Sequence, residues 1–472
     1  LPAEQSVVFQ QEENNTGVRG CSPRMGSNHL GRGAKAVKSI YYREQKHICG
    51  KSYATAPYME VDLYPVTPKQ HKAGRRAKRK EASTLAQQTY NDNRAKRYHV
   101  QLVNANFGKG DFSWTGTYDD DLEDWDRKKN PAFEYCQARC WLAMRDGEIV
   151  GRIGAILSRK ANEKWHTNRL RFTQVDFIDD YQVSRALFAT VEDWARQLGC
   201  TQIHGPLGFT DLDREGLLVE GFDRRSCFFT YYNHPYYKDH LEALGYAKDV
   251  DWIEELITAP TDEAVLQRWE KLSNYVLKRQ KLHVKKARTR LDYPGLVRQG
   301  FQLVNTAYSP LYGTVELSEA QIKRYAGKFA PLINPQLTCF VMNEENEMVA
   351  FGVAAPSIAE ALRKHKGRLF PTGWVDLLKA FRKNDTVDLL LIAVRPDLQS
   401  KGVNAVVISQ VMRGAFDMGI RWAETGPMLE MNQKVQTQWQ GFPLEQHKRR
   451  RCFIKDLAPA AQQAAPKEMA GV

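Results

Sequence analysis

Val394-Arg395-Pro396-Asp397-Leu398-Gln399-Ser400-Lys401-Gly402-Val403-Asn404 joins two segments of different periodicity. Before it, Val387 to Val394 is a short apolar run of strand length. After it, Asn404 to Met418 carries Val407, Val411, Ala415 and Met418 at helical spacing, and Gly419 is placed to end the helix. A strand entering a helix through Gln-x-x-Gly presents the unpaired N–H groups of a turn and of a helix N-terminus to an anion. Lys401 adds a cation beside them. The stretch therefore predicts an α/β unit with an anion-binding turn.

Working outward, Trp422-Ala423-Glu424-Thr425 reads as the next strand, and Cys339 to Ala355 as a hairpin before the first. The same order occurs earlier in the chain. Gln137 to Ser158 is a hairpin around Asp146-Gly147, Phe172 to Ile178 a strand, and Gln202 to Gly205 another. Between the last two lies a helix with Val183, Leu187, Val191, Trp194 and Leu198 on one face, closed by Gly199. Glu347-Met348-Val349-Ala350 echoes Glu148-Ile149-Val150-Gly151 at an offset of 347 − 148 = 199 residues. The following strands are 422 − 202 = 220 apart, and a helical insert, roughly Ser357 to Lys383, absorbs the difference. We read this as an internal duplication.

Hairpin, strand, loop, helix and strand in that order resembles the core of the GNAT acyltransferases. Residues from about 122 to 457 are similar to a bacterial group of two-repeat GNAT-like proteins. The resemblance rests on Asn130-Pro131-Ala132-Phe133-Glu134, Gly205-Pro206-Leu207-Gly208-Phe209-Thr210-Asp211, Val219-Glu220-Gly221-Phe222, Lys366-Gly367-Arg368-Leu369-Phe370-Pro371 and Gln446 to Ile454. It implies an α/β (α+β) fold of two tandem repeats with mixed central sheets. It implies acetyl-CoA or another acyl-CoA as co-substrate and a small-molecule or peptide amine as acceptor. The implied cofactor contacts are Gln399, Ser400, Lys401, Gly402, Val403 and Asn404 at the pyrophosphate, Asn432 further on, and a backbone N–H near Ala393 or Val394 on the thioester carbonyl. Glu424, beside Trp422, is the expected general base, with a structural carboxylate as the other reading. Trp439 stands where the family often has a tyrosine acid.

The first copy differs at the turn. Asp179-Asp180-Tyr181-Gln182-Val183-Ser184 has no glycine, and two carboxylates there would repel a pyrophosphate. Only the second copy is expected to hold CoA. Tyr231 to Tyr237 is expected in the core between repeats rather than in a substrate groove. His447 is expected at the surface, and Lys448 to Arg451 either on a solvated basic edge or against a phosphate.

The chain has 472 residues and a net charge of +13. Seven cations and no acid lie between Lys69 and Lys80, a run that would bind nucleic acid nonspecifically through phosphates. Asn104 to Asp111 with Trp114 to Asp120 resembles the first strand of phage-type rolling-circle replication initiators. Those enzymes need a His-x-His metal pair, and none of the eleven histidines here is so spaced. Nicking is excluded on that ground. No zinc-like Cys/His spacing occurs, so no metal is expected, and scattered cysteines suit a cytoplasmic setting. No apolar run reaches about twenty residues and no secretory leader is recognisable, so no membrane association is expected. The expected divisions are a disordered 1–40, a basic 41–121, repeats at 122–270 and 271–457, and a tail at 458–472. A scaffold that binds without catalysing, or a hybrid nucleic-acid-binding protein, is the alternative reading.

Overall fold

The computed structural model describes residues 123–457, apart from 147, 287–291, 331–332, 366 and 368, together with three short strands at 5–9, 38–42 and 61–66. The basic run and the initiator-like segment lie outside the described residues.

Three strands come first: β1 (Gln5–Phe9), β2 (Lys38–Tyr42) and β3 (Val61–Val66). β1 falls inside the stretch expected to lack order. Gln5-Ser6-Val7-Val8-Phe9 has the β-branched and aromatic content of a strand. The first repeat follows: β4 (Cys136–Arg145), β5 (Glu148–Ser158), α1 (Arg159–Trp165), β6 (Arg169–Phe177), α2 (Tyr181–Gln197), β7 (Gln202–Gly205), β8 (Leu217–Glu220), α3 (Tyr236–Ala243) and β9 (Ala247–Thr258). Then come α4 (Glu263–Gln280), β10 (His283–Val284), α5 (Tyr293–Ala307) and α6 (Glu319–Phe329). The second repeat is β11 (Thr338–Met342), β12 (Met348–Pro356), α7 (Ala359–His365), α8 (Gly373–Arg382), β13 (Thr386–Val394), α9 (Val403–Asp417), β14 (Trp422–Thr425), β15 (Met428–Leu429), α10 (Gln433–Thr437) and β16 (Leu444–Asp456).

Both hairpins, both crossover helices and the strands at 202–205 and 422–425 stand where the pattern placed them. The crossovers β6–α2–β7 and β13–α9–β14 join parallel strands and the other pairings of the repeats are antiparallel, so the fold is mixed α/β. The helices sit close to the sheet because small residues admit them. A Cβ on Gly151 of β5 would lie 2.8 Å from Leu187 Cδ1 of α2. Val183, Leu187, Val191 and Trp194 are all buried, and with Phe172, Phe177 and Phe453 they form one continuous core.

Instead of two sheets there is one, in the order β10-β11-β12-β13-β14-β9-β16-β7-β6-β5-β4-β3-β1-β2. Its centre is an exchange. β9, the end of the first repeat, pairs with β14 of the second. β16, the end of the second, pairs with β7 of the first, and β9 and β16 pair antiparallel with each other. A cut near residue 270 therefore separates two chain segments that complete one another.

β16 corrects two expectations. Lys448 and Arg450 are fully buried, and His447 is nearly so, rather than on a solvated edge. Lys448 Nζ lies 2.9 Å from Glu254 of β9 and also hydrogen-bonds Glu424 of β14, while Arg450 pairs with Glu254 and donates to the Tyr231 carbonyl. Glu254 lies 196 residues from Arg450 and Glu424 lies on another strand, which is why four adjacent cations looked like surface. Burial by itself would raise the Glu254 carboxyl, but Arg450 and Lys448 outweigh it and hold it down at about 2.

Replacing Lys448 by Met would leave the buried Glu424 without its cation and Glu254 with Arg450 alone, and should cost about 3–5 kcal/mol in urea unfolding. A loss below about 1 kcal/mol would contradict the network. An unfolded glutamate titrates near 4.3. The folded state therefore binds fewer protons between that value and about 2, so the Glu254 contribution is complete above the unfolded value and lost as pH falls towards 2. Unfolding midpoints across that range should decline in wild type and decline less in Glu254→Gln.

Candidate functional site

After Val394 the chain makes a short 3-10 turn, Pro396–Leu398, whose Leu398 is buried with Val403, Val406 and Val407. Arg395 is held by Asp397 at 2.7 Å. Ser400 and Gly402 both have left-handed backbones, φ 63° and 81°. Gly402 is the N-cap of α9 and supplies no side chain to the first-turn N–H groups. The partial positive charge of that helix end is consequently open to a ligand. Gln399 Nε2 donates to the Val394 carbonyl at 3.2 Å, and Lys434 Nζ donates to Gln399 Oε1 at 3.4 Å. That second bond draws the start of α10, with Asn432 at its N-cap, to the same turn.

β13 and β14 pair over only four residues, from Thr386↔Trp422 to Leu389↔Thr425. Gly426 N–H still donates to the Leu389 carbonyl at 3.2 Å, but Met428 and Leu429 then pair with β9 instead. β13 continues alone past a bulge at Leu390, where Val353 faces Leu391 and Ala354 faces Leu389. A cavity of about 990 Å³ opens between the parted strands, lined largely by apolar side chains such as Leu389, Ile392, Ile408, Val411, Met428 and Trp439. Arg395 N–H donates to Val349 of β12 at 2.8 Å. Alternation along the strand then turns the backbone groups of Val394 and Ile392 into the gap and those of Ala393 back to β12. Tyr308 Oη, reaching in from the end of α5, donates to the Ile392 carbonyl at 2.8 Å.

Ala393, Val394, Gln399, Ser400, Asn404 and Asn432 all line this cavity. Lys401 is exposed beside it, Gly402 forms the turn, and Val403 is buried below. Glu424 is not among the lining residues: it hydrogen-bonds Lys448 and lies 3.5 Å from His447 Nε2. Trp439 is buried in the cavity wall, and its indole N–H has no partner among the described residues.

Two carboxylates that sequence reasoning passed over do reach the cavity. Asp211 and Glu215 come from the loop after β7 of the first repeat. Burial raises Asp211 to about 6, and burial with the neighbouring Asp211 charge pushes Glu215 well up. The charged groups nearby are engaged elsewhere. Asp213 accepts from Phe209 and Thr210 N–H at 2.8 and 3.1 Å, and Arg171 donates to the Gly208 and Gly313 carbonyls, each at 2.9 Å. Lys164 reaches Ser309 and Thr314. Asp211 ends one of the motifs quoted above, but only the fold brings it across to the second repeat.

The corresponding place in the first repeat is closed. Asp180 caps α2, accepting from Gln182 N–H at 2.8 Å, and pairs with Arg145 at 2.9 Å. Asp179 lies 3.0 Å from His240. Tyr237 Oη accepts from Phe177 N–H at 3.0 Å and Tyr236 Oη donates to the Phe177 carbonyl at 2.6 Å. Both aromatics pack into the core of the first repeat, rather than between the repeats as expected for that segment, and neither lines the cavity. Tyr237→Phe should cost about 1–3 kcal/mol in urea unfolding, because it strands a buried N–H. An unchanged midpoint would show that the bond does not hold this closure.

No protein-family model matches the chain. Protein YghO of Escherichia coli (strain K12) is 28% identical over 339 residues, covering 70% of this chain and 85% of that protein. Bacterial ceramide synthase of Caulobacter vibrioides is 28% identical over 307 residues, covering 62% and 76%. Among solved structures, a tandem GNAT protein from the clavulanic acid biosynthesis pathway is 11% identical, with a TM-score of 0.45 over 78% of this chain and 97% of that one. FemX is 13% identical, with a TM-score of 0.33 over the same shares. The fold itself is mixed α/β, two similar strand–helix–strand units sharing one mixed sheet.

Proposed function

We propose that this protein transfers a long acyl chain from an acyl-CoA to an amine. The observation that carries the reading is the apolar cavity of about 990 Å³ beside the uncapped N-terminus of α9. Ligand sites usually measure about 300–1,000 Å³, so the volume has room for a pantetheine arm together with an apolar acyl chain. In this reading the pyrophosphate lies on the N–H groups of Gly402, Val403 and Asn404, with Lys401 and Lys434 near it. The pantetheine runs along the free edge of β13, and the N–H of Ile392 or Val394 polarises the thioester carbonyl. The amine nitrogen attacks that carbon, the C–N bond forms, and the C–S bond breaks to release CoA. The amine proton goes to Asp211, raised by burial to about 6, with Glu215 beside it. We assign the base there, and not to Glu424, because Glu424 is held by Lys448 away from the cavity. The name of one relative supports the reading, since a ceramide is an amide of a long-chain amino alcohol.

Palmitoyl-CoA should raise the unfolding temperature by several degrees at a hundredfold excess over Kd, equivalent to about 2.7 kcal/mol. Calorimetry should give one site per chain, since the first repeat is closed. Gly402→Glu should abolish the shift. Failure of millimolar CoA or palmitoyl-CoA to stabilise wild type would overturn the cofactor assignment. Thiol release with a long-chain amine should fall about a hundredfold or more in an Asp211→Asn, Glu215→Gln double variant, the loss expected of a general base. Equal turnover of acetyl-CoA and palmitoyl-CoA would overturn the long chain.

A further inference from the structure

The insert between β12 and β13 exposes a stripe that the fold does not need. The first repeat bridges the corresponding gap with the seven residues of α1, whereas the second uses α7 and α8. Leu377 and Phe381 of α8 pack inward on Ile358 and Leu362. Phe370, Trp374 and Leu378, spaced four apart, are left 81%, 45% and 47% exposed. Arg382, four residues further, is exposed on the same line. Elsewhere among the described residues, large exposed apolar side chains occur singly or as a pair, at Leu272 with Tyr275, Met431 and Leu444.

The charge around the stripe has one sign. From Ala359 to Lys383 there are seven lysines and arginines (Arg363, Lys364, Lys366, Arg368, Lys379, Arg382, Lys383) against Glu360 and Asp376, a net of 7 − 2 = +5. The two acids are engaged locally: Glu360 with Arg363 at 2.6 Å, and Asp376 with Lys364 at 2.6 Å and His365 at 2.8 Å. Arg382 and Lys383 have no acidic partner among the described residues. A helix that is apolar beyond the face it buries, with an exposed tryptophan, an exposed phenylalanine in the turn just before it and flanking cations, has the make-up of an interfacial anchor.

We propose that the face formed by Phe370, Trp374, Leu378 and Arg382 docks the protein onto an anionic lipid bilayer. The apolar side chains enter the headgroup boundary, and Lys379, Arg382 and Lys383 meet the lipid phosphates. Charge complementarity selects this occupant, because a second copy of the chain would bring the same +5 insert against itself. No helix among the described residues is long and apolar enough to cross a membrane, so the contact is with the surface. The proposal does not depend on the reaction assigned to the cavity.

The test is co-sedimentation of the full-length protein with vesicles of phosphatidylglycerol and phosphatidylcholine in equal parts, without CoA or amine. Wild type should pellet with these vesicles, should bind pure phosphatidylcholine at least tenfold more weakly, and should be released several-fold by 0.5 M salt. A Trp374→Glu, Leu378→Glu double variant should bind at least tenfold more weakly with an unchanged unfolding temperature, and Lys379→Glu with Arg382→Glu should do the same. The basic run Lys69 to Lys80 is common to all these proteins, so the difference reports the insert alone. Equal partitioning of wild type and the Trp374/Leu378 variant overturns the proposal and assigns any binding to that run. So does a wild type that stays in solution, or one that forms a dimer by light scattering which the variant dissolves.

Discussion

Lys448 lies at the centre of the sheet with carboxylates on two sides, Glu254 from one neighbouring strand and Glu424 from the strand beyond it. A buried ammonium is tolerable only when fully paired. Three strands that are remote in sequence must therefore come together in one register before this part of the molecule can close. The same interaction decides the architecture. β16 can satisfy Lys448 and Arg450 only beside β9, and that position lies between the two repeats. Two units that could have closed separately are joined into a single sheet.

The exchange also opens the site. β14 begins in parallel with β13, yet its chain continues along β9 as β15. The two neighbours part, β13 is left with a free edge, and the cavity lies in the gap. The first repeat has the same geometry with a different outcome. There a carboxylate caps the helix, and tyrosines take the backbone groups at the end of β6. The closed copy still contributes, since its loop after β7 carries Asp211 and Glu215 into the open copy's cavity.

The elements themselves were legible because they are local. The Asp-Gly hairpin, the 3.6-residue spacing of Val183 to Trp194 and the glycines after each helix all act within a few residues. The asymmetry of the turns was legible for the same reason: Asp179-Asp180 and Gln399 to Asn404 differ in charge and in glycine content on their face. The acids around the site were not. Glu424 looked like a base because it lies on a strand beside a tryptophan, and no local pattern announced its pairing with Lys448. Asp211 sat in a quoted motif without any sign of which cavity it would reach.

The sequence by itself determined two α/β units, the order of their strands and helices, and which of the two turns has a glycine and which has two carboxylates. Backbone propensity, side-chain period and local charge are enough for that. Only the tertiary structure decided that the final strands change places, that four consecutive cations lie partly in the core, and that a loop of the first repeat faces the cavity of the second. Those outcomes depend on pairing buried charges and on where neighbouring strands part. Both are set by contacts between residues as far apart as Asp456 and Gln202, 456 − 202 = 254 positions, which no local pattern records.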